Sequence, residues 1–257
     1  MSAVDLDCTD SGGAGNAVLL AHAIGCDRRM WDDLAPALAP RWRVVAIDAR
    51  GHGKSPLPAR PWSLEDMADD AARLLDRLGI ARAHWVGLSM GGMVGQAFAL
   101  RHPGRLDRLV LANTTSSYGA EGRTLWNNRI RLITQGGLAA IRDMVTARYF
   151  SESFIAQHRD VVDRIMGRFM ETPAGGYLGC CEAIRELDYS GDLRRMRART
   201  LVIAGELDQG TTPAMAKTIA DGIPGAQLAI IPGASHLSAV EKPREFAALV
   251  EDFLAAR

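Results

Sequence analysis

The amino-acid sequence predicts an α/β fold in which a mostly parallel sheet is flanked by helices. Short apolar segments typical of buried strands alternate with amphipathic segments of helical period, and the links between them are short. The candidate catalytic residues all fall just after predicted strands, the edge where open α/β sheets bind ligands. The 257 residues suffice for one large α/β domain or for a core with an inserted subdomain.

The first half of the chain alternates strands with helices. The predicted strands lie at residues 4–8, 17–21, 42–47, 83–86 and 106–112. The predicted helices lie at residues 28–38, 64–78 and 93–100. Ser63, followed by Asp66 three positions later, is typical of the N-terminus of a helix.

The alternation stops after Asn113 and resumes near residue 200. Helical stretches separated by Gly and Pro fill the interval, at residues 125–135, 138–149, 154–170 and 173–186. Strands at 200–204 and 226–231 then alternate with helices at 213–221 and 243–256. We therefore predict an α/β core at residues 1–115 and 188–257 and an inserted helical lid at residues 116–187.

Composition and charge exclude several classes of partner. The formal net charge is zero, so no basic excess indicates nucleic acid or an anionic membrane. No apolar run is long enough to span a bilayer, and the first ten residues lack the pattern of a signal peptide. The four cysteines form no C-x-x-C pair and no metal-binding spacing, so we expect free thiols, a cytoplasmic location and no metal.

The segment Gly87-Leu88-Ser89-Met90-Gly91 is a G-x-S-x-G motif between a predicted strand and a predicted helix. That context predicts a nucleophile elbow, a turn so tight that small residues must flank the serine. The turn projects the hydroxyl outward and directs the first amides of the helix towards the same point. Ser89 is therefore the candidate nucleophile.

A base and an acid follow the last predicted strands. His236 comes after the final strand and Asp208 after the one before it, so the order along the chain is serine, aspartate, histidine. In this arrangement His236 removes the Ser89 proton, and Asp208 fixes the tautomer of the imidazole. Glu206 is a rival for the role of the acid.

An oxyanion site needs two backbone N–H groups. We expect one from Met90, which directly follows the nucleophile, and one from Ile24, in the loop after the 17–21 strand. We expect His22 to brace that loop and the turn at residues 50–53 to hold the neighbouring one.

The whole chain resembles the α/β-hydrolase superfamily. The resemblance lies in R-G-H-G-x-S at 50–55, G-L-S-M-G-G at 87–92 and G-A-S-H-L at 233–237. It implies a lid after the sixth of the usual eight strands, and a serine nucleophile argues against a dehalogenase or an epoxide hydrolase. The chain starts about one strand late for this fold, so we expect a missing or very short first strand.

Within the superfamily the chain is similar to the 3-oxoadipate enol-lactonases. The similarity lies in L-V-L-A-N-T at 109–114, W-N-N-R-I at 126–130 and G-Y-L-G-C-C at 176–181. It implies a serine hydrolase that opens an enol-lactone ring in the β-ketoadipate pathway of aromatic degradation, without a cofactor. A general carboxylesterase or perhydrolase, a C–C bond hydrolase and a ligand-binding receptor on the same fold remain alternatives.

Two lid residues are candidates for substrate binding. Trp126 and Arg129 are three positions apart and so share a helix face. An arginine beside an aromatic ring can hold a carboxylate through two parallel contacts, which favours a small anionic lactone or ester. Arg123 is a further candidate, and the sequence leaves the oligomeric state open.

Overall fold

A computed structural model describes residues 4–256, and the strands in this range form one sheet. The strands are β1 (Cys8–Asp10), β2 (Ala17–Ala21), β3 (Arg43–Ile47), β4 (Ala83–Leu88), β5 (Leu106–Ala112), β6 (Arg199–Gly205) and β7 (Gln227–Ile231). Their spatial order is β1-β3-β2-β4-β5-β6-β7. β1 pairs antiparallel with β3, and every other neighbouring pair is parallel. The predicted fold class is confirmed.

Helices flank this sheet. They are α1 (Leu34–Leu38), α2 (Leu64–Arg77), α3 (Met90–Arg101), α4 (Gly119–Gly136), α5 (Arg142–Tyr149), α6 (Glu152–Gln157), α7 (Arg159–Glu171), α8 (Ala174–Arg185), α9 (Pro213–Gly222), α10 (Ser238–Glu241) and α11 (Pro243–Ala255). Strands β2 and β4 are buried along their whole length, as expected for central parallel strands covered on both faces. Among residues 4–256, no helix combines the length and apolar character needed to cross a membrane.

The predicted edge strand at residues 4–8 is wrong in position. β1 begins only at Cys8 and is three residues long, in keeping with the expected short first strand. The preceding amides are bound by side chains instead of by the sheet. The Val4 amide donates to Asp70 at 2.6 Å, and the Asp7 amide donates to the Ser55 hydroxyl at 2.8 Å. These long-range bonds leave no local pattern in the sequence.

The predicted helix at residues 28–38 is also wrong, because the segment divides into a 3₁₀ turn (Arg28–Trp31) and α1. Asp27 caps the 3₁₀ turn by accepting from the Arg29 amide at 2.8 Å. The Arg28 amide donates to Asp48, twenty residues away, at 2.8 Å. A distant carboxylate therefore fixes the start of this segment.

Helices α4 to α8, here named the inserted helices, lie between β5 and β6 in the chain. The predicted single helix at 154–170 is divided into α6 and α7 at His158, whose backbone (φ −130°, ψ 47°) is not helical. The predicted helix at 138–149 begins as a 3₁₀ turn before α5. The two ends of the insertion meet in an isolated antiparallel bridge between Ser117 and Asp188.

A buried ion pair anchors the loop that follows β3. The Arg50 guanidinium donates to Asp70 on α2 at 2.6 and 2.8 Å, and the two side chains are almost fully buried. The same loop carries His52, whose Nε2 accepts from the Gly25 amide at 3.0 Å. The ion pair therefore supports the 22–25 loop, where Ile24 lies.

Replacing Asp70 by Asn should lower the free energy of unfolding by about 3–5 kcal/mol, because it leaves the Arg50 charge buried without a partner. Chemical denaturation measures this loss. Asp69→Asn on the same helix is the matched control. Asp69 contacts the half-exposed Arg101 and His102 near the surface, and loss of such surface pairs should cost less than about 1 kcal/mol. Equal losses in the two variants would contradict a structural role for the buried pair.

Candidate active site

Ser89 occupies the turn between β4 and α3. Its backbone φ of 57° and ψ of −115° lie in a region that residues other than glycine rarely adopt. The Ser89 amide donates to the Ala112 carbonyl at the end of β5 at 2.8 Å, which ties the turn to the neighbouring strand. The side chain forms no capping bond with α3. The strained turn expected of a nucleophile elbow is therefore present.

Glycines on either side make this turn sterically feasible. A Cβ on Gly91 would lie 2.0 Å from the Ala21 carbonyl oxygen, and a Cβ on Gly87 would lie 2.2 Å from the Gly91 carbonyl oxygen. Neither backbone could move without disturbing β2 or the start of α3. The Trp85 indole further holds this turn by donating to the Gly91 carbonyl at 3.0 Å.

Ser89, His236 and Asp208 lie in one hydrogen-bonded chain. The Ser89 hydroxyl is 2.9 Å from Nε2 of His236, and Nδ1 of His236 is 2.8 Å from Oδ2 of Asp208. Because the carboxylate is the acceptor, Nδ1 carries a proton and Nε2 accepts from the serine. The three residues are 4%, 1% and 2% exposed, respectively. The geometry is that of a nucleophile, its base and an orienting acid.

The Asp208 carboxylate is surrounded by donors. Its Oδ1 accepts from the Gly210 and Thr211 amides at 2.8 and 3.0 Å, and its Oδ2 accepts from the Thr211 hydroxyl at 2.7 Å. Burial by itself would raise the pKa of Asp208. The adjacent His236 and the hydrogen bonds outweigh burial and hold that pKa well below its usual range. Asp208 therefore remains a carboxylate at neutral pH.

Glu206, the rival acid, is engaged elsewhere. Its side chain is exposed and accepts from the Gly233 amide at 2.8 Å. Asn113 instead supports Asp208 from the end of β5, because its amide donates to Oδ2 of Asp208 at 3.0 Å. Asn113 adopts a φ of 45° and accepts from the Ser238 hydroxyl at 2.5 Å. Asp208 is thus held both by a residue that follows β5 and by residues that follow β6.

Ile24 and Met90, the expected oxyanion donors, lie in segments joined by a hydrogen bond from the Gly91 amide to the His22 carbonyl at 3.1 Å. Among the described residues, no hydrogen bond engages the backbone N–H of Ile24 or of Met90. Both residues are buried, at 3% and 1% exposure. Both N–H groups are thus without an intramolecular acceptor among the described residues, as the expected role in an oxyanion site requires.

Two neutral histidines hold the 22–25 loop. Nε2 of His22 accepts from the Ala49 amide at 2.9 Å, so its Nδ1 donates to the Ala23 carbonyl at 2.7 Å. His52 accepts from Gly25, as described above. Burial lowers the pKa of both imidazoles, that of His52 to about 3. Each ring is therefore neutral and accepts a hydrogen bond from a backbone amide, which holds the loop in place, and neither ring serves as a base.

Trp126 and Arg129 both face inward from α4. The Arg129 guanidinium carbon lies 4.8 Å from the centre of the Trp126 ring, and the side chains are 5% and 7% exposed. Arg129 also contacts the Tyr177 hydroxyl at 3.4 Å and the Met144 sulfur at 3.8 Å. Within residues 4–256 no carboxylate pairs with Arg129. Arg123, by contrast, is exposed and lies 3.6 Å from Glu186.

The group around Arg129 reaches the 22–25 loop. Tyr177, which Arg129 contacts, packs so closely on Gly25 that a Cβ there would lie 2.9 Å from its ring. Tyr149 stacks on the His236 ring with centroids 5.8 Å apart. The inserted helices therefore place Tyr149 against His236 and Tyr177 against the 22–25 loop, with Arg129 in contact with Tyr177.

Sequence reasoning missed several residues that support this site. Asn113 could have been found, since it is a polar residue directly after a central strand. Thr211, Tyr149 and Glu241 gave no local signal. Glu241 accepts from the Ser235 amide beside His236 and from the Ser151 amide at the start of α6, the latter at 2.7 Å. Its contacts join the histidine loop to the inserted helices.

The buried cysteines do not form an alternative nucleophile or metal centre. Burial raises the pKa of the Cys180 thiol to about 12 and that of Cys181 further, so both are thiols at neutral pH. Across residues 4–256, no group of three or more His, Cys, Asp or Glu side chains is arranged to hold a metal ion.

Comparison with known families matches the alpha/beta hydrolase family model to residues 18–249, nearly the whole chain. The chain belongs to the alpha/beta hydrolase family. This assignment supports hydrolase activity.

Two similar proteins of this hydrolase family are named as enol-lactonases. The chain is 33% identical to 3-oxoadipate enol-lactonase 2 of Acinetobacter baylyi, an alignment that covers 91% of this chain and 87% of that protein. It is 34% identical to the enol-lactonase of Burkholderia xenovorans LB400, whose crystal structure superimposes with a TM-score of 0.94 over 98% of each chain. A protein of Caulobacter sp. strain K31, provisionally named carbamate hydrolase RutD, is 32% identical over 92% of this hydrolase and 90% of its own length.

Replacing Asp208 by Asn in this hydrolase should lower kcat for a short chromogenic ester by about 10³- to 10⁴-fold, because the amide favours the wrong tautomer of His236. Glu206→Gln is the matched control and should retain the wild-type kcat. Steady-state kinetics of the two purified variants measure both effects. Loss of activity in the Glu206 variant with retention in the Asp208 variant would reverse the assignment of the acid.

Proposed function

We propose that this hydrolase opens an enol-lactone ring, specifically that it converts 3-oxoadipate enol-lactone to 3-oxoadipate by a serine acyl-enzyme route. The observation that carries the substrate assignment is Arg129, a buried guanidinium with no carboxylate partner among residues 4–256. Burying an unpaired charge costs several kcal/mol, so an anionic ligand group would stabilise this arrangement. The substrate carries one such group, its carboxylate.

The first half of the reaction acylates Ser89. His236 takes the hydroxyl proton as the serine oxygen attacks the ring carbonyl, and the N–H groups of Ile24 and Met90 stabilise the resulting oxyanion. The tetrahedral intermediate then collapses and the ring C–O bond breaks. The leaving enol oxygen takes the proton from His236, and the enol tautomerises to a ketone. An enolate is a better leaving group than an amine, so it requires less assistance from the acid.

The second half releases the product. His236 accepts a proton from water as the water oxygen attacks the acyl carbon, and a second tetrahedral intermediate forms at the same oxyanion site. Collapse of this intermediate breaks the bond to Ser89, and His236 returns the proton to the serine oxygen. The net reaction consumes one water and yields a keto-dicarboxylate. Asp208 holds the imidazole and stabilises its protonated form during both halves.

We further propose that the inserted helices are the lid of this site, with the lid at residues 116–187 and the core at residues 1–115 and 188–257. The bridge between Ser117 and Asp188 supports these boundaries. Trp126 and Arg129 then bind the substrate from the lid, Trp126 through its ring and Arg129 through its charge.

The proposal includes a cytoplasmic location and a role in the degradation of aromatic compounds. The described cysteines are all free thiols, which is typical of a reducing compartment. The two enol-lactonases that resemble this chain support the pathway. Because another relative is named as a carbamate hydrolase, activity has to be measured with several classes of substrate.

Arg129→Leu tests the substrate class. It should lower kcat/KM for the anionic enol-lactone by about 10- to 100-fold, since a hydrogen bond to a charged group is worth about 1.5–3 kcal/mol. The value for a neutral lactone or a short neutral ester should change little. Arg131→Leu on the exposed side of the same helix is the matched control, and it should behave as wild type with every substrate. Progress curves with the two lactones, the ester and a carbamate measure these ratios.

The pattern of losses decides between functions. Equal losses for anionic and neutral substrates in the Arg129 variant would contradict carboxylate recognition. A wild-type preference for the carbamate or the neutral ester over the enol-lactone would contradict the proposed substrate. Ser89→Ala serves as the blank, because removal of the nucleophile should lower turnover of all the substrates by several orders of magnitude.

A further inference from the structure

Tyr149 links the inserted helices to two parts of the site. It is the last residue of α5 and is 1% exposed. Its ring stacks on the His236 imidazole with a centroid separation of 5.8 Å and an interplanar angle of 22°. Its backbone carbonyl accepts from the Leu237 amide at 3.0 Å, so ring and backbone both hold the histidine loop.

The Tyr149 hydroxyl donates to the Ile24 carbonyl. That carbonyl and the Gly25 N–H belong to one planar peptide unit, and the N–H is already held by His52 at 3.0 Å. Both polar groups of the peptide unit after Ile24 are therefore held. His52 of the core binds the N–H, and Tyr149 of the inserted helices binds the carbonyl.

The peptide unit before Ile24 is fixed in a different way. Its carbonyl, that of Ala23, accepts from Nδ1 of His22 at 2.7 Å and from the Cys26 amide at 3.1 Å. Its N–H, that of Ile24, has no partner among the described residues. The Ile24 N–H is thus held in a defined direction by fixed peptide units on both sides and remains available to a ligand.

We infer that Tyr149 is a positioning residue for the oxyanion site, so that the inserted helices complete the catalytic machinery and do not only cover the substrate. The inference rests on the proposed function, since it acts through the Ile24 N–H and through His236. A preorganised donor stabilises developing charge because it needs no reorganisation during the reaction. Loss of the Tyr149 hydroxyl would leave the Ile24–Gly25 peptide held only through the Gly25 N–H, and the resulting motion at Ile24 would tilt the Ile24 N–H in the adjoining peptide unit.

The surroundings of the hydroxyl suit this role. Burial raises the pKa of Tyr149 well above its usual value, and the nearby Cys26 and Tyr177 raise it further. The hydroxyl therefore keeps its proton, and remains a donor, throughout the pH range of ordinary assays. Its acceptor is a backbone carbonyl, which does not titrate.

Tyr149→Phe is the test, because it keeps the ring against His236 and removes only the hydroxyl. We expect kcat for the enol-lactone to fall about 10- to 100-fold with KM within about twofold of wild type, the pattern for loss of an interaction used in the transition state. Affinity for butylboronic acid, which forms a tetrahedral adduct with an active-site serine, should fall in parallel. Affinity for the product 3-oxoadipate should be unchanged.

The matched control is Tyr189→Phe. Tyr189 is also a buried tyrosine, but its hydroxyl donates to Glu65 at 2.6 Å and not to the 22–25 loop. This variant should retain the wild-type kcat and boronic acid affinity. Thermal denaturation of both variants reports on folding independently of activity.

An unchanged kcat and boronic acid affinity in Tyr149→Phe would overturn the inference. So would an equal loss of affinity for 3-oxoadipate and the boronic acid, since that result indicates general damage to the pocket. Both outcomes are distinguishable from failure of the proposed function, which would appear in the wild-type protein as a preference for the carbamate or the neutral ester over the enol-lactone, or as turnover of the enol-lactone by Ser89→Ala.

Discussion

The tight turn at Ser89 is the constraint on which the rest of the structure depends. Its backbone lies in a strained region, and such strain persists only where the surroundings over-determine it. Gly91 must lie against Ala21, and the Ser89 amide must reach Ala112. These contacts fix the distances between the carboxyl ends of β2, β4 and β5. The loop after β2, the start of α3 and Asn113 therefore converge on the serine.

Two buried arginines differ in whether a carboxylate of the chain neutralises their charge. Arg50 is enclosed by the core and bound by Asp70, so its charge is neutralised within the chain and its role is structural. Arg129 is buried to a similar degree beside Trp126 but has no carboxylate partner in the part of the chain that the structure describes. In our account the substrate supplies the missing carboxylate. The same inserted helices carry Tyr149, so in this account they contribute both to substrate selection and to the geometry of the oxyanion site.

Local patterns were sufficient to predict most strands, the fold class and the convergence of Ser89, Asp208 and His236. Strand periodicity and the rule that sites form at the carboxyl ends of parallel strands depend on short stretches of chain, which sequence records directly. The failures share one physical cause, namely contacts between distant residues. Asp48 determines how the segment at 28–38 begins, and neither this carboxylate nor the bonds of Tyr149 to the 22–25 loop leaves a pattern near the residue it affects.

Covalent labelling with a fluorophosphonate tests most directly the claim that Ser89 is a nucleophile next to an anion-binding Arg129. Peptide mass spectrometry should find one adduct, on Ser89, formed in step with the loss of activity. The product 3-oxoadipate should slow labelling of the wild-type protein and should protect the Arg129→Leu variant much less. Inactivation with the adduct on another residue, or equal protection of both proteins by 3-oxoadipate, would contradict the account.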